Sequence, residues 1–212
     1  MRSIILALLL LPSVYSQVFV RGSMGLDFVS MPSVRDYINQ NYAPGNEQLS
    51  SFNSAIEFGV EAGWHFPGYD VAVEGAYAFS NYNYIIGFSQ YNFDYTIYKP
   101  TVIVYKRFDG EGYFFRLGAG AGPRFAVVEE TKPPIKTVIE YKTSGFGILL
   151  AASGNTRLSK NAYIYIAGDL RYDFNGDPEN DKGEKILYDA NASTLTLNSL
   201  SAGIKLGITY NF

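Results

Sequence analysis

The amino-acid sequence predicts an all-β protein, an eight-stranded antiparallel up-and-down barrel that crosses a membrane. Three observations carry this expectation. From Leu200 to Phe212, Leu200, Ala202, Ile204, Leu206, Ile208, Tyr210 and Phe212 alternate with Ser201, Gly203, Lys205, Gly207, Thr209 and Asn211, which is a strand with one apolar face. Seven earlier stretches repeat that code, and the connections between them run long, short, long, short, long, short, long. Charged or small residues interrupt every later apolar run, so any crossing of a bilayer has to be made by strands closed on themselves.

The N-terminus bounds the compartment. Met1 and Arg2 precede the apolar run Ile4 to Leu11, Pro12 breaks it, and Val14-Tyr15-Ser16 puts small residues at the minus-three and minus-one positions. That is the layout of a secretory signal peptide over residues 1–16, with cleavage expected between Ser16 and Gln17. Residues 17–212 are then a single barrel domain. The chain has no cysteine, so neither a disulfide nor a thiolate metal site holds it together. The formal charge of -3 becomes -4 once Arg2 is removed, and that mild acidity gives no support for a nucleic-acid partner. Eighteen tyrosines and fifteen phenylalanines against one tryptophan suit a sheet protein or a membrane-interface belt.

The first strand is expected over Gln17–Phe28, with Val18, Val20, Met24, Leu26 and Phe28 on the apolar face. Ser30 to Ser50, with Pro32 and Pro44-Gly45, has loop composition. Ser51–Phe66 is the second strand, Pro67-Gly68 a tight turn, and Tyr69–Phe79 the third strand. Ser80 to Gln90, whose inner part Tyr84 to Phe88 could extend the hairpin, connects to the fourth, Tyr91–Phe108, where Tyr91, Phe93, Tyr95 and Ile97 share a face but Val102 and Val104 fall in the opposite phase. A bulge at Pro100 would explain the slip, and the facing of the second half stays open. After the turn Asp109–Gly112 comes a fifth strand from Tyr113 to Val127, then a loop at Glu129–Tyr141 and a sixth strand over Gly145–Ala152. Gly154–Lys160 is a third short turn, Ala162–Phe174 the seventh strand, and Asn175–Asn191 an acidic loop before the last strand.

A lipocalin-type soluble barrel would turn its apolar face inward. Here the other face is built of glycine, alanine and a few charges, which suits the inside of a narrow barrel better than a solvated sheet. The aromatics of the apolar face also gather at strand ends. Trp64, Phe66, Tyr69, Tyr113, Phe115, Tyr210 and Phe212 lie near the short turns. Phe28, Phe52, Tyr77, Phe79, Tyr91, Phe93, Phe125, Phe146, Tyr172 and Phe174 lie near the long loops. Two such girdles mark the two interfaces of a membrane.

With the leader, the strand Gly118-Ala119-Gly120-Ala121-Gly122 and the terminal Thr209-Tyr210-Asn211-Phe212 in view, the chain resembles the small eight-stranded outer-membrane barrels, the OmpA- and OmpX-like β-barrel domains. The resemblance covers essentially residues 17–212. It implies a monomer in the bacterial outer membrane, surrounded by outer-membrane lipid and lipopolysaccharide, whose Tyr210 and Phe212 are read by the barrel-assembly machinery. The chain departs from OmpA itself by ending at the barrel, so anchoring to the wall through a peptidoglycan-binding domain is not among the expectations.

On the face placed inside lie Arg21, Arg116, Arg124, Arg171 and Lys205 with Asp27, Glu57, Glu61, Glu74 and Asp169. Equal numbers of the two signs suggest pairs that fill the lumen, with Glu57 and Glu61 the expected partners of Arg116 and Arg124. A narrow polar channel for small or hydrophobic solutes is the alternative. A lipid-modifying enzyme is a third reading, and a Ser-His-acid site would have to use His65, the only histidine, which adjoins the short turn at Pro67 and reads as an interface residue. The expectation is therefore no catalytic residue and no cofactor. The Gly118–Gly122 run lacks the following helix of a nucleotide fingerprint. In the last long loop Asp173, Asn175, Asp177, Glu179, Asp181 and Glu184 fall at positions 1, 3, 5, 7, 9 and 12 of a calcium-loop template, but position 6 is Pro178 in place of glycine. Calcium and an ordinary solvated acidic loop are the two readings of that segment. Asn191-Ala192-Ser193 matches a glycosylation sequon that a bacterial barrel would not use.

Overall fold

The computed structural model describes residues 17–43, 48–51, 53–86, 89–133, 137–187 and 193–212. The signal-peptide segment, Phe52 and most of the sequon lie outside these. Eight strands form the architecture: β1 Gln17–Ser30, β2 Asn53–Phe66, β3 Tyr69–Ile86, β4 Ser89–Gly110, β5 Tyr113–Thr131, β6 Val138–Arg157, β7 Ala162–Asn175 and β8 Ser199–Asn211. Each pairs antiparallel with the next, and β8 pairs back onto β1 through Leu206 with Met24 and Ile204 with Leu26, so the sheet closes into a barrel. Closure removes every sheet edge inside the membrane, where an unpaired backbone amide has no water to bond.

The period-two code decides what each strand shows to each side. Val60, Leu150, Ile166 and Leu206 point outward with more than half of their surface exposed. Glu57, Glu61, Arg116 and Arg171, on the other phase, are buried. A continuous apolar exterior around a charged interior is the inverse of a soluble barrel, and such a surface faces lipid. Trp64, Tyr69, Tyr113 and Tyr210 ring the short-turn end of this belt, and Phe28, Tyr77, Phe125 and Phe174 ring the other, all exposed.

Three expectations change. In β4, Tyr91, Phe93, Tyr95 and Ile97 are buried inside the barrel and do not belong to the outer girdle. They share the inward phase with Lys99, Thr101, Ile103 and Tyr105, so β4 keeps one alternation along its whole length. No bulge sits at Pro100: the β4–β5 register is the same on both sides, Tyr98 with Phe125 and Val102 with Ala121. The apolar content of the upper half misled the reading, because above the membrane the barrel's inner face is itself a hydrophobic core. Second, Ser30–Ser50 is not all loop. It contains helix α1, Pro32–Asn41, which starts with Pro32 in its first turn, where the missing amide costs nothing, and buries Val34, Tyr37 and Ile38. Third, the connections around residues 80–90 and 129–141 are mostly strand, as β3 with β4 and β5 with β6 continue as long hairpins. The third short turn is correspondingly tighter, with β6 running through to Arg157.

The β4–β5 ladder has a gap where Pro100 and Pro123 stand on neighbouring strands, because neither can donate a backbone hydrogen bond. Arg124 fills it. Its Nη1 donates to the carbonyls of Pro123 (2.9 Å), Gly122 (3.2 Å) and Pro100 (3.3 Å). Its Nε donates to Asp173 at 2.5 Å.

Glycines on the inner face make room for these groups. Gly147 lies directly under the Arg124–Asp173 pair, and Gly203 under the carboxylates of Asp27 and Asp169. Gly147→Val will force that pair apart and lower the stability of the barrel by about 1 to 3 kcal/mol in urea unfolding. Gly22→Ala, which faces outward with nothing within 4 Å of its added carbon, will stay within about 0.5 kcal/mol of wild type.

Candidate functional site

The lumen is filled by two tiers of ion pairs, with the Arg124–Asp173 pair above them. Nearest the short turns, Glu61 accepts from Arg21 (3.2 Å), Arg116 (3.3 Å) and the Tyr105 hydroxyl (3.0 Å), while Arg116 also reaches Asp70 at 3.2 Å. Aromatic faces support the two cations: Arg21 lies 3.6 Å above the Tyr165 ring and Arg116 4.3 Å from that of Tyr105. His65 belongs to this tier, with Nδ1 2.7 Å from Asp70 and Nε2 3.2 Å from Asn211 Oδ1. It was expected at the interface, but its phase on β2 is that of Glu57 and Glu61, and its ring stacks on Phe19 inside the barrel.

The middle tier is centred on Glu57. Lys99 lies 2.5 Å from it and 3.0 Å from Asp27, Lys205 is in direct contact with it, and Arg171 is 3.6 Å away. Arg171 and Lys205 also hold Asp169, at 3.0 and 2.5 Å, and Arg171 holds Glu74 at 2.9 Å. These strands are far apart in sequence and meet only because the barrel is closed. Between the two tiers a cavity of about 30 Å³, bounded by Arg21, Glu61, Glu74, Tyr105 and Arg171, has room for one or two waters and no more. Buried charges this crowded are stable only as compensated sets.

Above Arg124 and Asp173 the interior turns apolar. Tyr82, Tyr91, Phe93 and Tyr95 from the extended hairpins, Val128 and Tyr141, and Ile186, Leu195 and Leu197 from the last loop form one buried cluster with Val34, Tyr37 and Ile38 of α1. Glu130 is fully buried among them and takes hydrogen bonds from Tyr37 (2.5 Å) and Tyr91 (3.0 Å) and an ion pair from Lys132 (3.0 Å). Burial, and then the adjacent Glu130 carboxylate, push the Tyr37 phenol above its ordinary range, so it stays protonated and donates.

All ten charges expected inside are buried there. Of the expected pairings only Arg116 with Glu61 forms: Arg124 takes Asp173, and Glu57 takes Lys99, Lys205 and Arg171. Lys99, Asp70 and Glu130 were missed. Lys99 and Asp70 were readable from the phase they share with Tyr105 and Glu74, while Glu130 sits in a segment read as loop.

The calcium template does not converge. Asp173 is turned inward to Arg124, and Asn175 donates to the Leu197 carbonyl. Asp177 bonds Thr194 and Lys185, the Thr194 hydroxyl holding its carboxyl below the usual range with help from Lys185, and Glu179 also faces Lys185. Glu184 takes the Asn180 side chain. Strand β7 continues through Asn175, so the first two template positions are ladder residues rather than loop, and among the described residues no group of three or more potential ligands comes together. At the chain's end Tyr210 and Phe212 are exposed, packed edge to face at 5.0 Å, and the Phe212 amide donates to the Val18 carbonyl at 2.9 Å.

No protein-family model matches the sequence, and no curated protein matches it. Solved structures do match. A major outer-membrane protein of Thermus thermophilus superposes with a TM-score of 0.55 at 14% identity, covering 94% of this chain and 100% of that one. Ail, the attachment invasion locus protein of Yersinia pestis, gives 0.53 at 12% identity with the same coverage. This chain has the fold of the small outer-membrane β-barrels. Neisserial surface protein A is a further example, at TM-score 0.52 and 13% identity, covering 94% of this chain and all of its own. Identities this low speak to the fold alone, so within this barrel fold the site's chemistry has to be argued from the residues above.

Proposed function

We propose that the protein is a monomeric, non-enzymatic barrel of the bacterial outer membrane with a closed lumen, and that its work is done by the part standing outside the membrane. The observation that carries this reading is the middle tier around Glu57, where cations and acids from six strands meet at ion-pair distance beside a cavity that holds a water or two. A narrow channel would need those pairs to part. Among the described residues the side chains bonded to His65 are those of Asp70, Asn211 and Arg107, none of them a hydroxyl, which supports a structural role.

The external part is large. Strands β3 to β6 are 18, 22, 19 and 20 residues long, against roughly 10 needed to cross a bilayer obliquely. Their upper halves form a platform packed on its inner side, with Asn81, Asn83, Glu129, Glu140 and Lys142 among the exposed residues of its outer side beside Ile85 and Val138. Structural support of the envelope or surface contact through this platform is the role the geometry favours. On this reading the apolar belt contacts lipid and lipopolysaccharide, no cofactor is called for, and the formal charge of -3 lends no support to a nucleic-acid partner.

The exposed terminal pair Tyr210 and Phe212 fits recognition by the barrel-assembly machinery. In a Gram-negative host the full chain should fractionate with the outer membrane as a heat-modifiable barrel, and removal of Phe212 should cut that amount severalfold. Full-length protein absent from the outer membrane, or a truncated chain assembled at normal levels, would count against the reading.

A further inference from the structure

Helix α1 closes the outer mouth, yet its own sequence does little to make it a helix. It has ten residues, fewer than the roughly 12 to 15 that stand alone in water, with no side-chain cap at Met31, no acid in its first turn and no base in its last. It is helical because it is docked. Beyond the burial of Val34, Tyr37 and Ile38, polar ties join it to the rest of the mouth: the Thr196 amide donates to Ser33 at 3.1 Å, and Tyr37 donates to Glu130 at 2.5 Å.

Tyr37 is held as a phenol in a site complete for one. The carboxylate of Glu130 accepts its hydroxyl beside that of Tyr91, the Lys132 ammonium stands 5.9 Å from its ring, and Tyr42, the C-cap of the helix itself, meets it edge to face and rests on Tyr91 at 3.7 Å. Below lie Phe93, Tyr95 and Val128, in the same apolar cluster. If α1 lifts, this cup opens outward with its buried carboxylate and cation at the rim. Its floor, Arg124 with Asp173, remains shut.

We propose that α1 is a lid latched by Glu130, and that the cup beneath it, occupied in the closed form by Tyr37 as an internal ligand, binds a phenolic small molecule from outside when the lid lifts. This rests on the outward placement of the long loops but is independent of conduction, since opening the lid leaves both ion-pair tiers in place.

The chain has no cysteine, so a single Ala126→Cys thiol, at a position 1% exposed within the same cluster, reports lid opening through its rate of labelling by a charged methanethiosulfonate. Val128→Cys serves the same purpose should Ala126→Cys fold poorly. Glu130→Gln should speed labelling at least about tenfold, the effect of weakening one charge-assisted hydrogen bond, with the barrel's heat-modifiable mobility unchanged. Lys182→Ala should leave the rate alone. In Tyr37→Ala, where the internal phenol is gone, millimolar p-cresol should restore protection, and in Tyr37→Ala with Glu130→Gln it should not. Equal labelling with and without Glu130→Gln would overturn the lid. Labelling of Tyr37→Ala that ignores p-cresol, or protection that does not need Glu130, would overturn the phenol site.

Discussion

Glu57→Ala will destabilise the folded barrel by about 3 to 5 kcal/mol or more, the largest effect expected of any single replacement in the lumen. Lys99, Lys205 and Arg171 all converge on this carboxylate, and each of them is buried. Removing it leaves Lys99 with Asp27 alone and Arg171 and Lys205 sharing Asp169 and Glu74, so three buried cations lose the carboxylate that stood between them. Alanine also leaves a cavity, so Glu57→Gln, which keeps the volume, separates charge from packing and should recover only a small part of the loss. The double replacement of Glu57 and Lys99 by methionine should be milder than Glu57→Ala, because it removes charge of both signs together. Urea unfolding in lipid vesicles, followed by fluorescence of Trp64, measures all three. A Glu57→Ala midpoint equal to wild type would mean that the tier carries no stability.

Arg116→Ala is the second large effect, about 3 kcal/mol by the same measurement. Arg116 is fully buried and bridges Glu61 and Asp70, and its guanidinium packs near Tyr105 and Phe19. The loss should be smaller than at Glu57, since Glu61 keeps Arg21 and Tyr105, and Asp70 keeps His65. Arg116→Lys should recover part of it at most, because a point charge cannot reach both acids in the fork geometry of a guanidinium. Lys182→Ala, in the exposed acidic loop, is the neutral comparison. Lys132→Ala would be a poor one, because Lys132 holds the buried Glu130.

The barrel was legible because its physics is periodic. One alternation, run through eight strands, separates lipid from lumen, and it put Arg21, Glu57 and Lys205 on the inside without any contact being known. Reading failed where one residue type served two environments. Tyr91 and Phe93 on an apolar phase looked like girdle residues, but on this stretch of β4 the inner face had already left the charged lumen for the capped mouth. That one error produced the false bulge at Pro100 and hid Lys99, which shares their phase. Helix α1 was not visible, because its sequence lacks caps and length and gains its stability from the mouth it covers. Pairings inside the lumen depend on which side chains meet across the closed ring, a three-dimensional relation that spacing along the chain does not encode.

The claim that the lumen is closed is tested most directly by the conductance of the purified full-length protein in a planar bilayer. The ion-pair tiers predict a silent membrane, with no steady current above the bare bilayer at moderate voltage. Stable, ohmic single-molecule steps from the wild-type barrel would contradict that claim and put a channel in its place.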